Sequence, residues 1–198
     1  MDAVVISLSI VTILGAGELA AKFTPLSPGT LRKVVHATMG IVVVLLTVHY
    51  SYRLFIPIGL VAACAMWLTH RYRLLDSLRD RRDESHGEVY FALGVAAAAI
   101  ISPDAAVFQT SLLIMAIADT CAYAVGRRLS SPNIYRKKTF AGSAAFLVVT
   151  TTILLAYETN PVLLAVTGLY CTAAEMLSDH GIDNFTVPLL ASLLLGNF

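Results

Sequence analysis

The sequence predicts an all-α, polytopic integral membrane protein of about seven to eight transmembrane or re-entrant helices. Three observations predict it. Of 198 residues, 57% are hydrophobic and only 14% charged, with a mean hydropathy of +0.75, whereas soluble domains carry about 25% charged residues. The apolar residues fall in long runs, and a bilayer-spanning helix needs roughly 20 of them. Between the runs lie short clusters of Pro, Gly, Ser, Asn and Asp, which favour turns.

The first segment, 3–21, opens on "VVISLSIVTIL" without the basic region of a signal peptide and is read as a retained helix. "TPLSPGT" separates it from the second, 34–50, which has no Asp, Glu, Lys or Arg up to Val48. The third, 54–70, runs into the mixed-charge stretch "RLLDSLRDRRDE", whose signs alternate at helical spacing and fit a solvated amphipathic segment. The fourth, 89–102, is short for a full crossing and ends at "SPD"; the fifth spans 105–125 and leads to "SSPN". The sixth, 141–157, and seventh, 161–178, are divided by "TNP", and the eighth, 185–197, is again short. No tandem repeat is visible, so residues 1–198 read as a single membrane-embedded domain. Cys64, Cys121 and Cys171 all lie in apolar segments, an odd count that fits small buried hydrophobes better than a disulfide framework.

Thirteen of the fourteen Lys and Arg fall in the connections 22–33, 71–88 and 126–140; Arg53 alone falls in the alternate set. Basic residues gather on the cytoplasmic side. If all eight segments cross, the N-terminus is outside and the turn between segments seven and eight is cytoplasmic. Ionisable groups within spans are costly and mark interiors or water-filled cavities. Here they are Glu18, His36, Asp119 and Glu175, with Glu88 heading segment four, each toward the cytoplasmic end of its segment. Glu175, Asp179 and Asp183 stand four residues apart in "AEMLSDHGIDNFTVPLL". On one helix they would repel each other. Segment seven is therefore expected to end near Ser178, with Gly181 in the turn, so that Glu175 and Asp183 approach from different elements.

Clustered carboxylates bind Mg²⁺ through oxygen, and that ion commonly keeps phosphate ligands. The basic loop "GRRLSSPNIYRKK" suits a polyphosphate. Together they equip phosphoryl or nucleotidyl transfer at a membrane face. Neither GxxxxGK[ST] nor GxGxxG occurs, which disfavours a soluble nucleotide-binding fold. A transporter would distribute its ionisable groups through the membrane depth, unlike this one-sided set. The basic loops are accounted for by topology, so no nucleic-acid partner is expected.

Four stretches, in order, resemble the phytol kinase, dolichol kinase and CTP-dependent diacylglycerol kinase family. They are "LRKVVHATMG" (31–40), "GEVYFALG" (87–94), "ADTCAYAVGRRLSSPNIYRKKTFAGSAAF" (118–146) and "EMLSDHGIDNFTVPLL" (175–190). Ala118 and Ser130 stand where the family commonly has Gly. The resemblance implies an integral membrane enzyme that moves the γ-phosphate of CTP to a membrane lipid alcohol with a divalent metal. It carries Arg32, Lys33 and His36 onto the first motif, Arg127, Lys138, Thr139, Gly142 and Ser143 onto the central loop, and Asp119, Asp183 and Asn184 onto the acidic and amide positions. Phosphatidate cytidylyltransferases are a distant likeness and the enzymatic alternative, although their extra His-Gly-Gly and Asp-Arg elements are not found.

The resulting assignment gives Asp119, Glu175 and Asp183 to Mg²⁺, and Asp119, Asp183, His36 and Lys33 to catalysis. Arg32, Arg127, Arg128, Lys137, Lys138, Thr139, Asn184 and the helix-opening amides of Gly142 and Ser143 are expected at phosphate. Glu88 and Asp179 are additional candidates. Spacing does not distinguish which acid serves as base and which as ligand.

Overall fold

The computed structural model describes residues 1–72, 85–157 and 160–197. The stretch 73–84, read as a solvated amphipathic segment, lies outside the described residues.

Each expected apolar segment is helical. They are α1 (Asp2–Phe23), α2 (Pro28–Leu46), α3 (Phe55–Tyr72), α4 (Gly87–Ile101), α5 (Ala105–Leu113) continuing as α6 (Asp119–Arg128), α7 (Phe140–Tyr157), α8 (Pro161–Leu177) and α9 (Asp183–Gly196). Among the described residues five helices are long and apolar enough to cross a membrane: α1, α2, α3 with its preceding turn, the continuous α5–α6 rod, and α7. The helices α4, α8 and α9 are apolar but shorter. Many outward side chains are large and apolar, including Val61, Leu155, Val162, Leu169 and Tyr170, as a lipid-facing surface requires.

Local chemistry sets the ends. Ser27 caps α2 by accepting from the Thr30 amide at 3.3 Å, and Pro28 occupies the first turn, where its missing N–H costs nothing. This cap starts α2 six residues before the predicted 34, so Arg32 and Lys33 are helical rather than in a connection. Asp104 caps α5 through the Val107 amide at 2.9 Å, and Asn160 caps α8 through Val162 and Leu163. The predicted all-α class needs one addition: β1 (Asn133–Tyr135) and β2 (Lys138–Thr139) form a small antiparallel hairpin within the basic loop.

Without a hydrophobic drive between helices in lipid, close backbone approach through small residues holds them. Gly59 of α3 meets the Ala92 carbonyl and Ala96 of α4. The α4–α9 contact is tighter still. Pro188 cannot donate to the Asn184 carbonyl four residues back, and Gly94 of α4 packs directly against that carbonyl and the Pro188 ring. Gly94→Val places a side chain on that carbonyl and is expected to destabilise the protein by about 1–3 kcal/mol. Thermal unfolding in detergent measures it; an unchanged Tm would refute the tight α4–α9 packing.

The core centres on Phe108, Leu112, Ile114, Phe146 and Leu154, all fully buried. Around it, α4 packs on α3 and α9, α8 joins α9 to α7, and α7 packs on α6, while α1 leans chiefly on α2. The three cysteines are free, but only Cys171 is fully buried. Cys64 is exposed on α3, because an apolar helix in lipid can turn a small hydrophobe outward at no cost.

Candidate active site

The site is built at the end of the bundle where α2, α4, α7 and α9 begin and α6 and α8 end. Asp119 opens α6 directly after a wide, π-helical turn at Ile114–Ala118. Such turns inside α-helices recur at functional sites. The Met115 carbonyl in that turn accepts a hydrogen bond from His36 Nε2 at 3.3 Å. Gly40 lies against Ala116, and Thr120 bonds the Ala116 carbonyl at 2.7 Å. The turn thus locks α2 to the α5–α6 rod and aims Asp119 into the site.

Asp119 (5% exposed), Glu175 (2%) and Asp183 (7%) are buried. One carboxylate oxygen from each lies within 4.8 Å of the others. They come from three helices: the start of α6, the last turn of α8 and the first residue of α9. The turn between α8 and α9 makes this possible. It places His180 at φ 52° and Gly181 at φ +83°, and a side chain on Gly181 would collide with Gly87. The expected break after Ser178 is therefore present, and the three acids spaced by four do not share one helix.

Two lysines meet the carboxylates. Lys33 is ion-paired with Asp119. Lys138, at the start of β2, bridges Glu175 at 2.5 Å and Asp183 at 2.8 Å. Burial alone would lower the Lys138 pKa, but Asp183, Glu175 and Asp119 outweigh it and hold the ammonium above the ordinary lysine value. Its charge is therefore fixed throughout the neutral range. His36 lies 3.7 Å from Asp119 and edge-on to Phe91 at 4.8 Å. Ser143 donates to Glu175 at 3.3 Å. Asn184 donates to the Gly87 carbonyl at 2.9 Å, while its side-chain oxygen is buried without a partner.

The other expected residues divide. Arg32, Arg127, Lys137 and Glu88 line the same cavity. Arg127 donates to the Tyr123 hydroxyl at 2.6 Å and lies over that ring. Arg128 is exposed and outside the lining, because it follows Arg127 around the helix by about 100°. Asp179 is paired with Arg136 and His180 instead of joining the three acids. The Gly142 amide, expected at phosphate, donates to Thr139 Oγ1 at 3.2 Å. Gly142 instead permits close approach of α7 to Gly126 and the Ala122 carbonyl. Glu18 does not line the cavity; its Oε1 is buried on α1 without a partner.

Sequence reasoning missed Arg136, Tyr123 and the Met115 carbonyl. Tyr123 follows Asp119 by one helical turn and was findable by spacing. The Met115 carbonyl was not, because only the wide turn releases it.

The cavity at this site has a volume of about 890 Å³. One end carries the acids and lysines; the other is lined by apolar side chains of α1–α4.

The chain is 30% identical to the phytol kinase of Synechocystis sp. over 92% of its own length and 87% of that protein's. It belongs to the phytol kinase family. A further relative in that comparison, an uncharacterized protein of Methanocaldococcus jannaschii, is 22% identical over 84% of this chain and 92% of its own. No family model and no solved structure matches. Membership in the phytol kinase family makes a lipid-alcohol kinase the coarse functional class.

Proposed function

We propose that the protein transfers the γ-phosphate of CTP to the hydroxyl of a membrane lipid alcohol at the cytoplasmic face. One observation carries the reading: three buried carboxylates and two lysines converge where a charged mouth meets an apolar cavity. The basic-residue asymmetry supports the orientation, with the N-terminus outside. Kinship to a phytol kinase supports a prenol-type acceptor.

The donor set fits a divalent cation. Three carboxylates against two lysines leave an excess negative charge, and the Asn184 oxygen adds an unpartnered buried acceptor. Asp119, Glu175 and Asp183 would hold Mg²⁺, which supplies charge neutralisation to phosphoryl transfer when bound. Arg127, Arg136, Lys137 and Lys138 form the anion-facing mouth. Lys33 and His36 sit where that mouth meets the apolar arm. An alcohol rising from the apolar arm reaches His36 and Asp119 first. Asp119 accepts the hydroxyl proton, the alcohol oxygen bonds to the γ-phosphorus, and the bond to the β-phosphate oxygen breaks to release CDP.

The test is turnover of purified protein with CTP or ATP labelled at the γ-phosphate, against phytol, a polyprenol, diacylglycerol and phosphatidate. Labelled lipid phosphate with release of CDP is expected. Pyrophosphate release would assign cytidylyl transfer instead, and absence of any labelled lipid would refute the reading.

A further inference from the structure

The apolar arm of the cavity has a shape that a generic lipid-facing surface does not need. Helices α1 and α2 form one wall and α3 and α4 the other. Each helix contributes residues at helical spacing. On α1 they are Ala3, Ser7, Ile10 and Leu14, and on α2 Lys33, His36, Met39 and Val43. On α3 they include Phe55, Gly59, Ala62 and Met66, and on α4 Glu88, Phe91 and Val95. These stripes run along the helix axes; on α2 the stripe passes from Lys33 at the charged end to Val43, and on α3 from Met66 to Phe55.

Its far end is closed. Val43, Phe55 and Val95 are all at least 96% buried there. Phe55 is held by Phe108, with ring centroids 5.9 Å apart, and Phe108 by Tyr52 at 5.5 Å. Its side is open: Val11 and Val61 line the groove yet are 64% and 69% exposed. From Met66 to Phe55 the helix rise gives a depth of about 16 Å. With carbon–carbon bonds of about 1.5 Å in a zigzag, that holds roughly a dozen in-line carbons.

The geometry points to a length-measuring groove for one apolar chain of the acceptor alcohol. The chain enters sideways from the bilayer, with its hydroxyl at His36 and Asp119 and its tail directed at Phe55. This inference rests on the lipid-alcohol reading above and narrows it to acceptors whose apolar chain fits that depth. Phe55 and Ala62 are the specificity-determining positions. Phe55 is the floor, and Ala62 stands at mid-depth with space before it.

The test uses prenols and linear alcohols of graded length. For each, kcat/KM is measured, together with alcohol binding by competition against a labelled prenol without nucleotide. A pocket that gains or loses a methylene-sized volume discriminates by roughly tenfold or more. Ala62→Phe is expected to weaken long chains by at least about tenfold relative to the shortest, and Phe55→Ala to favour longer ones. A merely structural role would change all lengths by one factor, and that result overturns the inference. If Phe55→Ala does not fold, Ala62→Phe decides alone. A length shift in binding with no turnover in the parent protein would keep the groove and sink the kinase reading.

Discussion

Asp119→Asn is expected to lower phosphoryl transfer by about 10³-fold or more, while the protein remains folded in detergent. The substitution keeps the side chain's shape and removes its charge. That charge faces Lys33, His36, Glu175 and Asp183 in one buried cluster. In so dry a site, charge placement is worth far more than it is in water. Lys33 loses its partner, but its side chain is 15% exposed and its long stem can carry the ammonium toward the mouth. Stability should therefore fall much less than activity. Asp119→Glu, which keeps the charge and moves it, separates placement from charge. Turnover within a few-fold of the parent in the Asn variant would remove Asp119 from the chemistry.

Lys138→Met is expected to have the largest effect on stability, about 3–5 kcal/mol, because it strands two buried carboxylates. Among the described residues Lys138 alone bridges Glu175 and Asp183, and it does so from the hairpin, outside the helices that carry them. Thermal unfolding measures the loss. The same experiment reports on the metal: with the tethered ammonium gone, added Mg²⁺ should raise the Tm of Lys138→Met more than that of the parent. A ligand that binds only the folded state stabilises in proportion to RT ln(1 + [L]/Kd). An equal Tm response in both proteins would count against Mg²⁺ at Glu175 and Asp183.

Much of the fold was legible because the membrane imposes a simple code. Apolar runs between turn clusters located the helices α1 to α9, and the caps at Ser27, Asp104 and Asn160 are ordinary local chemistry. Hydropathy misplaced the start of α2 because Arg32 and Lys33 read as a connection, although Ser27 and Pro28 begin the helix earlier. The hairpin at 133–139 was hidden in a loop read only for its charge.

The site was legible in its residue types more than in its contacts. Glu175 and Asp183 were expected from different elements because three acids stacked on one helix repel, and the left-handed backbone at His180 and Gly181 makes that break. Asp179 could not be separated from them by spacing; only its pairing with Arg136 and His180 does so. Gly142 looked like a phosphate amide because it opens the sixth segment, at a helix N-terminus, yet its N–H is taken by Thr139. Such choices depend on which donor lies nearest in space, a quantity no linear spacing contains.

By itself the sequence determined an apolar, helical chain with its charge gathered at one end, since burying a charge in lipid is costly wherever the chain folds. Tertiary structure alone decided the rest: which acids converge, which lysine answers which acid, and that the cavity continues as a laterally open groove toward Phe55. These follow from how α1–α4 pair and how the wide turn before Asp119 sets its direction. Packing of that kind is a property of surfaces meeting, and it exists only once the helices are in place.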